Sequence, residues 1–284
     1  MEKINKKVLV LGSSGMLGHI LTDFFKVEKT FKVYNLSRKR KVDDSTIICD
    51  ALNYNHLENV IQEIKPNYII NSIGILVKES MKNPKNAVSV NSDFPHKLKE
   101  IAEKHNSSVI HLSTDCVFDG LSGGYDEDSI KTPVDVYGRT KDIGEIISEN
   151  HLTIRTSIIG PELKNDGDGL FLWIAKNKNL KVDGYEKSIW SGLTTIELSK
   201  AIIYCMKNSI KGLIHISGSP ISKYKLLKLI NQEFNFNIEI KKVDGKISDK
   251  SLKSKRKEFT YKVPSHQSMI LEMKTYMESK NYRY

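Results

Sequence analysis

Through the first half of the chain, short apolar runs alternate with longer segments whose apolar residues recur every three or four positions. The runs at 7–11, 31–36, 46–49, 68–71, 109–113 and 152–155 predict strands. Several are nearly all apolar, as strands covered on both faces must be. Between them, 16–25, 54–64, 87–105 and 136–148 predict helices. Leu57, Val60, Ile61 and Ile64 keep the i, i+3, i+4, i+7 spacing of one buried helical stripe. This alternation predicts an α/β chain with a Rossmann-type, doubly wound parallel sheet.

After Arg155 the pattern loosens, with Gly160, Pro161, Gly167, Gly169 and Gly184 interrupting it. A helix returns at 196–206, opened by Thr194 with Glu197 three residues on, the spacing of a capping box. A strand is expected at 212–216, a helix at 222–234, and a last helix from Pro264-Ser265 through Met269, Leu271 and Met273. The expected organisation is a nucleotide-binding domain over 1–160, with 195–216 folding back onto it, and a smaller α/β substrate-binding lobe over 161–284.

Composition narrows the function classes. Hydrophobic residues make up 39% and charged residues 27%, as in an ordinary globular protein. The net charge of +10 invites a nucleic-acid reading, but 38 of the 44 basic residues are Lys scattered along the chain. The densest basic run, 250–257, has no interleaved aromatics for base stacking, so no nucleic-acid partner is expected. A positive field still favours an anionic substrate such as a nucleotide. Cys49, Cys116 and Cys205 lie far apart with no disulfide spacing, which implies a reducing compartment. No apolar stretch reaches the ~20 residues that span a bilayer. The basic-then-apolar start of the chain carries only four apolar residues, 8–11, too few for a signal peptide. A cytoplasmic protein with no membrane partner is expected. No metal site is expected either: the histidines show no His-x-x-x-His spacing, and Asp166-Gly-Asp168-Gly lacks the ligands of a calcium loop.

Three segments carry chemistry. Gly12-Ser13-Ser14-Gly15-Met16-Leu17-Gly18 follows a strand and opens a helix, the context of a pyrophosphate-binding turn. Gly12 permits the tight turn, Gly15 admits the pyrophosphate and Gly18 lets helix and strand pack closely; the free amides at the helix start favour the diphosphate. At the end of the second strand, where an acidic residue would bind an NAD ribose, the chain reads Ser37-Arg38-Lys39-Arg40. A guanidinium there suits a 2′-phosphate, so NADP(H) is preferred over NAD(H), which stays open if the loop is merely a solvated basic turn.

Tyr137 and Lys141 stand four apart at the start of a predicted helix and share one face. A neighbouring ammonium stabilises a phenolate, bringing the phenol down from about 10 toward working pH as a proton donor. Lys141 would also bond the nicotinamide ribose. Thr114 ends a central strand, where an open α/β sheet meets its ligand, and its hydroxyl can donate to the same carbonyl oxygen. The same spacing at Tyr276 and Lys280 lacks an upstream glycine loop and strand-end hydroxyl and reads as structural.

These residues resemble the extended short-chain dehydrogenase/reductases, and more narrowly the dTDP-4-dehydrorhamnose reductase family of nucleotide-sugar reductases. The resemblance runs through the glycine loop, Asp50-Ala51, Asn71-Ser72-Ile73-Gly74, Asn91, Ser113-Thr114-Asp115-Cys116-Val117-Phe118-Asp119-Gly120, Tyr137-Gly138-Arg139-Thr140-Lys141 and Arg155-Thr156-Ser157. It implies that Asp50 and Ala51 flank the adenine and that Ser72, Ile73 and Gly74 line the diphosphate and ribose. Asn91 joins the cofactor-binding set, and Thr156, Ser157 and Ile158 approach the nicotinamide. It implies Thr114, Tyr137 and Lys141 as the catalytic set, with Asp115, Cys116 and Trp190 near the substrate. The implied reaction is hydride delivery to C4 of a dTDP- or UDP-linked 4-keto-6-deoxyhexose for a surface polysaccharide, and relatives often form homodimers.

The chain also departs from the family. Cys116 replaces a tyrosine common in it, and Trp190-Ser191-Gly192 replaces a run of small residues, which leaves the sugar and nucleotide open. A 4,6-dehydratase needs an acid where Cys116 stands, and a 4-epimerase would hold NAD through a ribose carboxylate that is missing. A reading from another class remains: the NADP-binding regulatory β-subunit of methionine adenosyltransferase, which resembles this chain in fold.

Overall fold

A computed structural model of the chain describes residues 6–164 and 166–283; the basic start at 1–5 lies outside them. In chain order the first strands are β1 (Lys6–Leu11), β2 (Phe31–Ser37), β3 (Ile47–Ile48), β4 (Tyr68–Asn71), β5 (Ser108–Thr114) and β6 (Leu152–Thr156). They are followed by β7 (Ile158–Ile159), β8 (Lys181–Tyr185), β9 (Ser188–Trp190), β10 (Leu193–Thr194) and β11 (Gly212–His215). The last three are β12 (Ile221–Ser222), β13 (Glu239–Val243) and β14 (Ser248–Asp249). The helices are α1 (Gly18–Val27), α2 (Tyr54–Ile64), α3 (Val77–Lys82), α4 (Pro84–Val88) and α5 (Phe94–Lys104). Then come α6 (Val136–Ile143), α7 (Leu170–Lys176), α8 (Thr195–Lys207), α9 (Lys223–Phe234) and α10 (His266–Ser279).

The seven-stranded sheet has the order β11-β6-β5-β4-β1-β2-β3. β1 runs parallel to both β2 and β4, and the pairs β2–β3 and β4–β5 are parallel too. The Rossmann-type sheet expected from the alternating pattern is therefore present. The chain builds outward from β1 to β3, then returns to the other side of β1 for β4. In such sheets ligands meet the carboxyl ends of the strands at this reversal. The register aligns those ends: Leu11 pairs with Leu36 and with Asn71, so Gly12, Ser37 and Ser72 leave the sheet along one edge.

Two compact units divide the chain. The first comprises Met1–Ser113, Asp135–Ile154 and Asn208–Ile214; the second comprises Thr114–Val134, Arg155–Lys207 and His215–Tyr284.

Within the first unit, α2 keeps its predicted bounds for local reasons. Asn53 caps its start by accepting the His56 amide, and Lys65 ends it in the left-handed conformation. Its stripe of Leu57, Val60, Ile61 and Ile64 is buried against Leu9, Leu11, Leu36, Ile69, Phe94 and Leu98. The helix expected over 87–105 is broken. A π-helical turn at Ser89–Asp93 separates α4 from α5. Pro95 has no N–H to offer the Asn91 carbonyl four residues earlier, so regular α-helix cannot pass through that turn. The helix expected to reach 148 stops at Ile143. Gly144 lies so close to that same Asn91 carbonyl that a Cβ would sit 1.8 Å from the oxygen.

In the second unit, α8 opens as expected, with the Glu197 amide bonded to Thr194 Oγ1 at 3.2 Å. The Glu197 side chain does not turn back to complete the box; it accepts the Tyr261 hydroxyl at 2.5 Å. In α10, Ser265 is the cap and Met269 and Met273 are buried, while Leu271 is exposed. A small cluster of Val117, Phe118, Tyr125 and Leu252 stacks Phe118 on Tyr125 at 4.2 Å, with the buried Arg155 guanidinium over Phe118.

Truncating the α2 stripe tests this account of the core. Leu57→Ala removes a fully buried side chain and should cost roughly 2–5 kcal/mol. Urea denaturation should show a lowered midpoint with an unchanged slope; a midpoint equal to that of the parent would mean the stripe does not carry the packing.

Candidate active site

The glycine turn is held from both sides. The Gly12 and Ser13 amides bond the Leu36 carbonyl at 2.9 and 3.0 Å, and the Ser72 amide bonds the Leu11 carbonyl at 3.2 Å. Gly12 has φ +79°, which side chains disfavour, and a Cβ there would lie 2.9 Å from Ile73. A Cβ on Gly18 would stand 2.1 Å from the Gly12 carbonyl oxygen, so α1 packs onto the turn only because residue 18 is glycine. Ser13 is buried and its Oγ has no hydrogen-bond partner among the described residues. An unpaired buried hydroxyl is costly, and a ligand oxygen at the turn would satisfy it. Ser14, Gly15, Met16 and Leu17 complete the entry to α1.

Beyond β2 the loop is tied to itself. The Ser37 hydroxyl bonds the Arg40 carbonyl, and the Asp43 carboxylate accepts from Ser45, Thr46 and Asn35 and pairs with Lys26. These donors hold Asp43 well below the usual carboxylate range despite the opposing effect of burial. Ser37 thus shapes the loop from within, while Arg38 stands exposed and makes no ion pair with the described residues. Asp50 accepts the Leu52 amide at 3.1 Å and turns the chain toward α2, with Ala51 buried beside it.

Asn91 is fully buried and binds at both ends of its amide. Its oxygen accepts the Ile75 N–H at 2.9 Å; its nitrogen donates to the Ile75 carbonyl at 3.0 Å and to Thr140 Oγ1 at 3.1 Å. Both amide hydrogens are therefore taken by protein, and Asn91 holds the segment carrying Ser72, Ile73 and Gly74 against α6. The Asp135 carboxylate caps α6 by accepting the Gly138 amide at 2.7 Å. One turn later Lys141 is buried, its Nζ donating to the Leu112 carbonyl at 2.5 Å, and Tyr137 is half-buried. Burial pushes the Lys141 ammonium down to about 8, opposed by the Glu145 carboxylate. The first unit thus brings together the glycine turn, Ser72 to Gly74, Asn91, Tyr137 and Lys141. Two polar residues near Lys141, His111 and Glu145, escaped the sequence reading, and Asn71, quoted there without a role, bonds His111. The available signal was a histidine inside the otherwise apolar strand Val-Ile-His-Leu.

The second unit holds the remaining predicted residues. Thr114 accepts the Cys116 amide and donates its hydroxyl to Asp115 Oδ1, both at 3.1 Å. Burial raises the Asp115 carboxyl above its usual range, while Lys250 and Thr114 pull it back. Cys116 is half-buried and joins no disulfide among the described residues. The segment Thr156, Ser157, Ile158 packs on the turn after β9: Trp190 Nε1 donates to Ser157 Oγ at 2.9 Å, and the Leu193 amide to the Ser157 carbonyl at 2.9 Å. Trp190 is itself buried, with its ring N–H committed to protein.

The two other pairs with the Tyr-x-x-x-Lys spacing, Tyr276/Lys280 and Tyr224/Lys228, place the ammonium over the ring at 5.9 and 5.7 Å. The sequence reading passed over the second of these. Among the described residues no group of three or more His, Cys, Asp or Glu is placed to hold a metal, and no helix is long and apolar enough to cross a membrane.

The model of the family described as the RmlD substrate binding domain matches residues 6–260. The dTDP-4-dehydrorhamnose reductase of Aggregatibacter actinomycetemcomitans is 32% identical over 229 residues, 75% of this chain and 74% of that protein. Methionine adenosyltransferase 2 subunit beta of Pongo abelii is 27% identical over 246 residues, 81% of this chain and 73% of that one. The crystal structure of dTDP-4-dehydrorhamnose reductase from Bacillus anthracis in complex with NADP has the same fold, with a TM-score of 0.83. It is 19% identical and covers 96% of this chain and 100% of that one. With the glycine turn, the Tyr137/Lys141 helix and this match along most of its length, the chain belongs to the RmlD family, that of the dTDP-4-dehydrorhamnose reductases.

Proposed function

We propose that this chain is an NADPH-dependent oxidoreductase that reduces the C4 keto group of a dTDP- or UDP-linked 4-keto-6-deoxyhexose. The observation that carries the reading is the Tyr137/Lys141 pair, with Lys141 buried, on a helix locked by Asn91 to the segment that follows β4. The names of the reductase relatives support the substrate class. The cofactor fits the first unit, because Gly12 and Gly18 let the turn fold tightly between β1 and α1 and the buried Ser13 hydroxyl at that turn has no partner among the described residues.

In this reading the amides of Ser14, Met16 and Leu17 and the Ser13 hydroxyl hold the diphosphate, on a turn whose Gly12, Ser13 and Gly15 amides are bonded to the Leu36 and Gly12 carbonyls. Arg38 takes the 2′-phosphate on a loop shaped by Ser37, and Asp50 and Ala51 border the adenine. Ser72, Ile73 and Gly74 line the ribose side, with Asn91 as their clamp, and Thr156, Ser157 and Ile158 face the nicotinamide. When bound, NADPH supplies the hydride. Tyr137 gives its phenolic proton to the sugar oxygen, and the Lys141 ammonium stabilises the phenolate left behind. Thr114, one peptide bond beyond Ser113, exchanges its bond to Asp115 for one to the same oxygen as negative charge develops there. Asp115 and Cys116 contact the sugar, and Trp190 acts through Ser157. The setting is the cytoplasm, where the three thiols stay reduced, and the working form is a homodimer.

A second reading follows from the methionine adenosyltransferase β-subunit relatives: a regulator that binds NADP and acts on a partner. NADPH oxidation with enzymatically made 4-keto-6-deoxy sugar nucleotides separates the two. Turnover establishes the reductase; tight NADPH binding with no turnover on either nucleotide series favours the regulator.

Tyr137→Phe should leave NADPH affinity nearly unchanged and lower turnover at least ~100-fold, the scale of a lost general acid. A parental rate in that variant would remove Tyr137 from the mechanism. Arg38→Ala should weaken NADPH several-fold more than NADH in fluorescence titrations, and equal losses would show that Arg38 does not hold a 2′-phosphate.

A further inference from the structure

Behind Lys141 lies a chain of buried polar groups, all within the first unit. It begins at the turn after β4, where the Ile73 N–H donates to Asn71 Oδ1 at 3.1 Å. That bond fixes which way the Asn71 amide faces, so its nitrogen is the end that meets His111 Nδ1, at 3.1 Å. An amide nitrogen has hydrogens and no usable lone pair, so His111 Nδ1 must be the acceptor. His111 is fully buried, and burial, with the charges of Lys141 and His96 adding to it, holds the ring neutral, far below the ordinary histidine range. A neutral imidazole carries one proton. With Nδ1 accepting, that proton sits on Nε2, and Nε2 is the atom 3.4 Å from Lys141 Nζ.

An N–H therefore faces an amine. An ammonium has three hydrogens and no lone pair, so the charged form of Lys141 gains nothing from this neighbour and is repelled by it. The neutral amine has a lone pair and accepts the bond. We propose that His111 is a positioning residue for Lys141: its tautomer, fixed by Asn71, turns an N–H rather than a lone pair toward the lysine and makes the ammonium a readier proton donor. This rests on the reading of Lys141 as the partner of Tyr137.

The consequence for the reaction is balanced in protons. After Tyr137 protonates the sugar oxygen, Lys141 passes a proton to the phenolate. The amine that remains has one lone pair, which the His111 Nε2–H fills, and water then restores the ammonium. Other groups act on the same lysine. Glu145, whose Oε1 accepts the Ser113 hydroxyl at 2.7 Å, favours the charged form; Tyr137 lies one turn back on α6; the Leu112 carbonyl accepts from Nζ. His96 on α5 acts on His111. Of these neighbours, His111 is the hydrogen-bonding group that prefers the uncharged amine.

Two measurements that need no substrate test the proposal. Nitrogen-15 NMR of the intact protein should find His111 protonated on Nε2 with a bare Nδ1 from pH 6 to 9; a proton on Nδ1 overturns the assignment. Carbon-13 NMR of labelled lysines should locate Lys141 as the one titrating far below the rest. In His111→Leu that titration should move up by about one pH unit, because a repelling N–H has gone. Were Nε2 instead an acceptor of the ammonium, the same variant would move it down, so the sign alone decides. In the active enzyme the alkaline limb of kcat/KM, where Lys141 loses its charge, should rise by the same interval in His111→Leu. If the variant does not fold, the tautomer in the parent protein still decides. A shifted titration without turnover on any sugar nucleotide would sink the reductase reading and leave the His111 assignment standing.

Discussion

The buried amide of Asn91 is the contact on which the first unit's chemistry depends. Taking a carboxamide out of water without partners costs several kcal/mol, roughly 2–7. Here both hydrogens and the oxygen are bonded, to the Ile75 backbone on one side and Thr140 on the other. α6 has only eight residues, too few to be stable by its own hydrogen bonds. It is held by Thr140, by the Ser92 hydroxyl on the Thr140 carbonyl and by the close approach of Gly144 to Asn91. Without that anchor Tyr137 and Lys141 would lie on a fraying turn. With it they are registered against the strand ends from which the glycine turn and the Ser72–Gly74 segment emerge.

The same few residues explain what could be read from the sequence and what could not. Apolar alternation revealed the sheet because parallel strands buried on both faces leave little room for polar residues. The α2 bounds were legible because Asn53 and Lys65 act locally. The break at Ser89–Asp93 and the early end of α6 were not, although Pro95 and Gly144 stand in plain view. Pro95 acts on the Asn91 carbonyl only four residues earlier, a local signal that the apolar periodicity masked, whereas Gly144 shows what it does only against that same carbonyl, brought from far back along the chain. The polar set around Lys141 was hidden for a similar reason. A histidine in an apolar strand announces a buried polar group, but the identity of its partner belongs to the tertiary structure.

Among the predicted site residues the structure separates those offered to a ligand from those occupied by protein. Ser13 has a buried hydroxyl with no partner and Arg38 an exposed guanidinium. Ser37, Asn91 and Trp190 spend their polar groups on neighbouring backbone or side chains. Thr114 lies between these cases, because its hydroxyl has a partner in Asp115, whose carboxyl burial keeps unusually basic. The hydrogen bonds thus distinguish polar groups committed to protein from those left unpaired.

The loop after β2 closes on its own atoms, through Ser37 to Arg40, Thr46 to the Val42 and Asp43 amides, and Asp43 to Asn35 and Ser45. Its shape therefore does not depend on what residue 38 carries. On the proposal that Arg38 holds the 2′-phosphate, coenzyme choice is a detachable trait: selection can exchange one dinucleotide for the other at a single exposed position, leaving the hydrophobic interior untouched.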